Sequence, residues 1–274
     1  MARQNHNKIS FLQYNAGRSI AATSILNSIM HNYDFITLQE PYCIKNKPAC
    51  LPTNCTPLRG TTDYPWAVSI VANHNLSLLH HGILSTQYIC CTEIVVNNHR
   101  YIVINYYSPK DLDIDILLNN IQCIMNTFND VYFIVTGDTN AHSPAWGGER
   151  LDRRGRLLKD VFARNGLHIL NNPHSPPTFT SSQGHSWIDV TACSASCYPS
   201  ITNWKVLDDS IDDHAIISFE IGTTSPINNH PHSKYNLNLA NWTDLHSFLD
   251  YNLSDCDHDD PNIVRIALST ILTS

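Results

Sequence analysis

Short apolar runs, each closing on a polar side chain, recur along this chain. Ile9-Ser10-Phe11-Leu12-Gln13-Tyr14-Asn15 reads as a first strand and Asp34-Phe35-Ile36-Thr37-Leu38-Gln39-Glu40 as a second. Between them Ile20, Ile25, Leu26, Ile29 and Met30 fall at helical spacing. Residues 41–65 hold Pro41, Pro48, Pro52, Pro57 and Pro65 and read as loop. Strands are expected over 66–72, 88–96 and 100–107, the last two joined by the hairpin turn Asn97-Asn98. Ile114, Leu117, Leu118, Ile121, Ile124 and Met125 predict a helix capped by Asp111 and running to about Phe128. The apolar run Val131-Tyr132-Phe133-Ile134-Val135 then leads into Gly137-Asp138-Thr139-Asn140. A second long helix is expected over about 155–165. Short strands follow near 168–170, 178–180, 187–192, 202–206 and 215–221.

Many strands with few long helices, and hairpins mixed with crossovers, predict an α+β fold. The expected architecture is a four-layer αββα sandwich, two packed mixed β-sheets flanked by helices. Residues 1–8 read as an N-terminal tail and 9–221 as one domain. From Gly222 the chain turns polar and proline-containing, as linkers do. The rest of 222–274 reads as partly helical near 242–249 and 263–272, too short for a core of its own.

Composition narrows the function. At 274 residues and 42% hydrophobic content, the chain can bury a full core. It shows no membrane-length apolar run and no signal-peptide core, so an intracellular, membrane-free protein is expected. The nine cysteines have no zinc-like spacing and read as free thiols. A formal charge of −7 argues against a general polyanion binder. One segment runs against that balance: residues 149–164 hold Arg150, Arg153, Arg154, Arg156, Lys159 and Arg164 against three acids. Such a patch can contact phosphates, and it can equally be an ion-paired helix face.

Several strands end in polar residues that packing alone does not call for: Asn15, Glu40, Tyr107, Asp138 with Asn140, Asp189, and Asp213-His214. Each singly has an ordinary reading as a turn, a cap or a solvated strand end. Together they supply the parts of a metal-assisted phosphodiesterase. Glu40 and a second carboxylate suit a hard cation. Asp138 with Asn140 suits a polarised water. His214, Asn15 and Tyr107 can donate to phosphoryl oxygens, and Asp189 can hold the imidazole oriented and charged.

These residues, in this order, resemble the motifs of the endonuclease/exonuclease/phosphatase superfamily. The matches are Gln13-Tyr14-Asn15, Leu38-Gln39-Glu40-Pro41, Tyr107-Ser108-Pro109, Gly137-Asp138-Thr139-Asn140, Ile188-Asp189 and Asp213-His214. Within it, Thr139-Asn140-Ala141-His142-Ser143-Pro144-Ala145-Trp146-Gly147 and Asp152-Arg153-Arg154-Gly155-Arg156 resemble the endonuclease domain of non-LTR (LINE-like) retrotransposons. Pro177-Thr178-Phe179-Thr180 with Ser186-Trp187-Ile188-Asp189 resembles the next block of that branch, and 234–242 its link toward a reverse transcriptase.

The resemblance implies roles. Glu40 holds a divalent metal, usually Mg²⁺ with Mn²⁺ as an alternative, and Asp213 supports the metal or the His. Asp138 activates water and Asn140 orients it. His214, paired with Asp189, binds the scissile phosphate, while Asn15 and Tyr107 position it. It also implies double-stranded DNA as substrate, nicked to a 3′ hydroxyl that primes reverse transcription. A covalently linked reverse transcriptase and action in the nucleus follow. Two positions depart from the pattern. Gly17 stands where apurinic endonucleases carry an acid, and Asp212 stands where Ser is common before the terminal Asp-His. Two other readings share these residues, a same-fold phosphodiesterase or phosphatase on a non-DNA substrate and an inactive DNA-binding relic. Arg150, Arg153, Arg154, Arg156 and Trp187, with the loop Ser181–His185, are the expected DNA contacts.

Overall fold

The computed structural model describes residues 8–60, 63–207 and 212–222. The chain first forms β1 (Lys8–Asn15), α1 (Ile20–Ile29), β2 (Phe35–Gln39), the short pair β3 (Cys43–Ile44) and β4 (Lys47–Pro48), β5 (Ala67–Val71) and β6 (Ser77–His80). It continues through β7 (Ile89–Val96), β8 (His99–Tyr107), α2 (Ile114–Thr127), β9 (Tyr132–Asp138), α3 (Arg153–Arg164) and β10 (Leu167–Ile169). The hairpin of β11 (Phe179–Ser181) and β12 (Gly184–Ser186) precedes β13 (Asp189–Ser194), β14 (Ile201–Leu207) and β15 (Ile216–Gly222). One sheet has the order β14-β15-β1-β2-β5 and the other β10-β13-β9-β8-β7-β6. Both are mixed, because β1 runs parallel to β2 and β8 to β9 while the other pairs are antiparallel.

Alternation along each strand explains the layers, since successive side chains point to opposite faces. In β1, Phe11 turns inward to Phe35, Phe219, Val103 and Ile134, between the sheets. Leu12 and Tyr14 turn outward, beneath Ala22, Leu26 and Met30 of α1. On the second sheet, Ile102, Ile104 and Val135 face outward beneath Leu117, Ile121, Leu158 and Phe162 of α2 and α3. Each fully buried side chain of this size contributes about 1.5–3 kcal/mol of transfer free energy. The layers are therefore α1, sheet, sheet, then α2 with α3, the expected αββα sandwich.

The inner space between the sheets is apolar at one end and polar at the other. Inward positions read Phe11, Gln13, Asn15 along β1, Val103, Asn105, Tyr107 along β8, and Ile134, Thr136, Asp138 along β9. β13 is antiparallel to β9 and reads the same series backwards, Cys193, Thr191, Asp189. Buried amides tie the sheets together midway. Gln13 Nε2 donates to Gly137 O at 3.3 Å, Thr191 Oγ1 donates to Gln13 Oε1 at 2.8 Å, and Asn105 Nδ2 donates to Val68 O at 2.7 Å. Leaving such buried groups unpaired is costly, so they fix how the two sheets register.

Several boundaries differ from expectation. The helix α2 is capped by Asp113, whose carboxylate accepts from Asp115 N, not by Asp111. Residues 77–80 form an edge strand that the pattern missed, because three of its four residues are exposed and show no buried face. The proline-rich stretch contains the β3–β4 pair, closed by Lys45 and Asn46 at φ +50° and +60°. Lys8 belongs to β1, opposite Gly222, not to a tail. The expected tail over 1–7 and the linker and helical segments of 223–274 lie outside the described residues. No helix among the described residues is long and apolar enough to cross a membrane.

Candidate active site

The polar ends of the two inner faces meet in one cavity of about 390 Å³. Its lining includes Glu40 just after β2, Tyr107 at the end of β8, Asp138 and Asn140 at and just after the end of β9, and His214 just before β15. Asp138 ends β9, where Gly137 lets that strand approach β8: a Cβ at 137 would lie 2.1 Å from Tyr106 O. Asn15, at the end of β1, spans the sheets. Its Nδ2 donates to Asp138 Oδ2 at 2.9 Å and to Glu40 Oε1 at 3.1 Å.

Asp138 and Asn140 form a tight unit. The Asn140 N–H donates to Asp138 Oδ1 at 2.8 Å, and Asn140 Nδ2 donates to Ser108 O at 3.2 Å. Asn140 has φ +43°, which asparagine tolerates better than most residues. Asp138 is buried, and its carboxyl is pushed up to about 7 by that burial and by the charge of Asp189, against the opposing pull of His214.

His214 lies just before β15, and the main chain on either side of it is bonded to the β11 segment. Thr180 N donates to Asp213 O at 2.7 Å and Ala215 N to Thr178 O at 2.8 Å. The ring packs edge-on to Phe179 with centroids 4.8 Å apart. Its Nδ1 is 3.0 Å from Asp189 Oδ2, and its Nε2 is 3.9 Å from Asp138 Oδ2. Burial opposes charge on this ring, but Asp189 and then Asp138 outweigh it and raise His214 to about 9. At neutral pH the imidazole is therefore a cation that donates from both nitrogens.

Asp138, Asp189 and His214 bring potential ligand atoms within 4.8 Å of one another. A protonated imidazole has no lone pair for a metal, so carboxylates are the better donors here. Glu40 is the open one. It lines the cavity beside Asn15 and Tyr107, and the burial of Tyr107 with the nearby Glu40 charge holds the phenol far above its ordinary value. The three carboxylates Glu40, Asp138 and Asp189 outnumber the adjacent cations Arg18 and His214. Such an oxygen-rich, net-negative set suits a hard divalent cation.

The structure brings Asn15, Glu40, Tyr107, Asp138, Asn140, Asp189 and His214 together, and it leaves other expected residues out. Asp213 is exposed and does not line the cavity. His214 turns inward, so its neighbour turns outward and contributes its carbonyl to the β11 contact. Asp212 lies near Tyr14, whose hydroxyl is raised to about 12 by burial and then by the Asp212 charge. Trp187 is half-buried, packs on the α2–α3 core and donates from Nε1 to Ser175 O at 2.9 Å, which gives it a structural place. Arg150, Arg153 and Arg156 are exposed, with Arg153 paired to Asp115 at 3.1 Å, and none lines the cavity.

Arg154 departs most from expectation. It donates to Leu112 O at 2.9 Å and, through Nη2, to the carbonyl and hydroxyl of Ser108. Ser108 O is the same acceptor that holds Asn140 Nδ2. Arg154 thus clamps the loop after Tyr107 to the loop carrying Asn140. The α3 N-terminus docks there because Asp152 caps it and also accepts from His142 N at 3.1 Å. Gly155 makes room: a Cβ there would lie 2.1 Å from His142 O. The sequence held a signal for this, since Arg154 stands four and eight residues before the buried Leu158 and Phe162, on the inward helix face. Arg18, Trp66 and Lys110 also line the cavity and were not singled out from sequence.

The family described as endonuclease-reverse transcriptase matches residues 101–218, which include Tyr107, Asp138, Asn140, Asp189 and His214. Among solved structures, the endonuclease domain of TRAS1, a telomere-specific non-LTR retrotransposon, is 26% identical with a TM-score of 0.69, covering 78% of this chain and 98% of that one. The AP endonuclease LMAP from Leishmania major shares the fold at 11% identity and a TM-score of 0.58, covering 78% and 88%. A humanized D. rerio TDP2 shares it at 14% identity and a TM-score of 0.53, covering 79% and 100%. No curated protein matches the chain. Fold, ordered motifs and the family match over 101–218 thus agree, and what the chain is similar to is an endonuclease domain of the non-LTR retrotransposon kind.

Proposed function

We propose that this chain is a magnesium-dependent DNA endonuclease that hydrolyses one phosphodiester of its target and leaves a 3′ hydroxyl for reverse transcription. The observation that carries the reading is the buried chain of contacts from Glu40 through Asn15 and Asp138 to His214 and Asp189, at the floor of one open cavity. It joins a cation site, a water-activating carboxylate and a charged phosphate donor.

Asp138 takes the proton of the attacking water. Its elevated value, about 7, lies near neutrality, where a general base works best. Asn140 has its Nδ2 committed to Ser108 O, so its carboxamide oxygen accepts from that water and fixes its direction. The imidazolium of His214 donates to a phosphoryl oxygen as negative charge develops, and Asp189 keeps the ring charged and aligned. Asn15 and Tyr107 hold Glu40. Mg²⁺, or Mn²⁺, bound at Glu40 would supply Lewis-acid polarisation of the phosphoryl group. The water oxygen bonds to phosphorus, its proton passes to Asp138, the P–O3′ bond breaks, and O3′ takes a proton from solvent to become the hydroxyl.

The partners proposed are double-stranded DNA and a reverse transcriptase in the same polyprotein, acting in the nucleus. Exposed Arg150 and Arg156 and the β11–β12 tip supply outer contacts to the duplex. Incubating the protein with supercoiled plasmid and Mg²⁺, in parallel with phosphoinositides, tests the substrate class. Open-circular plasmid without phosphoinositide hydrolysis is the expected result. The reverse pattern overturns the DNA assignment.

A further inference from the structure

Arg18 sits at the cavity rim in a conformation that its side chain disfavours. Its φ is +60°, directly after Gly17 at +50°. Left-handed backbone is disfavoured by a Cβ, so an arginine there stores strain that glycine would avoid. The backbone is held in place. Arg18 N donates to Glu40 O at 2.8 Å, and Glu40, itself at φ +44°, donates to Trp66 O at 2.9 Å. These bonds bring three rim side chains together from the ends of β1 and β2 and the approach to β5.

The guanidinium carbon lies 5.5 Å from the Trp66 ring centroid, and Trp66 stacks on Tyr107 with centroids 5.2 Å apart and planes 10° apart. Arg18 Nε is 3.5 Å from Glu40 Oε2, and the side chain is 60% exposed. An ion pair that open adds little to stability. Strain is thus maintained for a side chain that does little for the fold, and it lines the same cavity as Asp138, Asn140 and His214.

We propose that Arg18, pre-organised over Trp66, grips a backbone phosphate of the bound strand adjacent to the scissile one. This rests on the endonuclease reading above. The guanidinium fork matches phosphate oxygens, and an aromatic support reduces the entropy lost when it binds. Glu40 separates Arg18 from the Asn15–Asp138 pair, which sets the guanidinium one group back from the hydrolytic centre.

The test compares wild type with Arg18→Gly and Arg18→Lys. Plasmid nicking gives KM and kcat, and melting gives stability. DNA binding against salt is measured in an Asp138→Ala background. Arg18→Gly should melt no lower than wild type, because glycine suits φ +60°. Its KM should rise several-fold, more than kcat falls, and its log–log salt slope should drop by about one, as for one lost phosphate contact. Arg18→Lys should restore the slope and part of the KM. Unchanged KM and slope in Arg18→Gly, with wild type nicking normally, overturn the proposal alone. A clear loss of melting temperature with an unchanged slope also overturns it, by making Arg18 structural. A folded wild type that does not nick DNA removes the endonuclease reading and this proposal with it.

Discussion

Replacing Asp189 by Asn preserves volume and a hydrogen-bond acceptor but removes the charge 3.0 Å from His214 Nδ1. Burial opposes the imidazolium, and Asp189 is the largest contribution that overcomes it to hold His214 up to about 9. Without the carboxylate, His214 falls to about its ordinary 6.5 or below. The fall from about 9 corresponds to about 3 kcal/mol of lost stabilisation of the charged ring. At pH 8 the charged fraction drops from roughly 90% to roughly 3%, so nicking at that pH should fall about thirtyfold. Asp138 responds in the same direction, because part of its elevation to about 7 comes from Asp189. The assay is the pH profile of kcat/KM for nicking supercoiled plasmid. Wild type should show limbs governed by Asp138 and His214, and Asp189→Asn should move both toward acid and recover activity near pH 6. A profile lowered equally at every pH, with neither limb moved, would mean that Asp189 does not act by holding His214 charged.

Three further outcomes are expected. Asp138 has a folded value above its unfolded one, so the native chain holds an extra proton between about pH 4 and 7 and loses stability as pH rises through that window. Asp138→Asn should therefore abolish nicking yet raise stability at pH 7.5 by on the order of 1 kcal/mol, read by urea titration. Arg154→Met should lower kcat more than it raises KM and cost about 1–3 kcal/mol, because the carbonyl of Ser108 and the Asn140 loop lose their clamp. A chelator should stop nicking and Mg²⁺ should restore it. Mg²⁺ should raise the melting temperature of wild type but not of Glu40→Gln, since binding to the folded state alone stabilises it.

The chemistry was legible where it coincided with strand periodicity. Asn15, Tyr107 and Asp138 each end an inward-facing series, so alternation placed them on the face where the sheets meet. Glu40 and His214 stand just outside strands, so the pattern marked them only as polar strand ends and the ordered motifs gave them their roles. The misreadings concern orientation. Arg154 and Arg153 look alike in a basic run, yet one faces the core with Leu158 and the other faces Asp115. Asp213 reads as a ligand beside His214, but neighbouring extended residues point to opposite sides. Arg18 and Trp66 escaped notice because their meeting depends on left-handed turns at Gly17, Arg18 and Glu40, which no local pattern announced.

The central claim is that Asp138, His214 and their partners form one hydrolytic centre that cuts DNA. Its most direct test is nicking of supercoiled plasmid followed by chemical mapping of the new ends, with Asp138→Ala and His214→Ala in parallel. Wild type should leave 3′-hydroxyl and 5′-phosphate ends, and neither folded variant should nick. Nicking that survives both substitutions, or a folded wild type that leaves the plasmid intact, contradicts it.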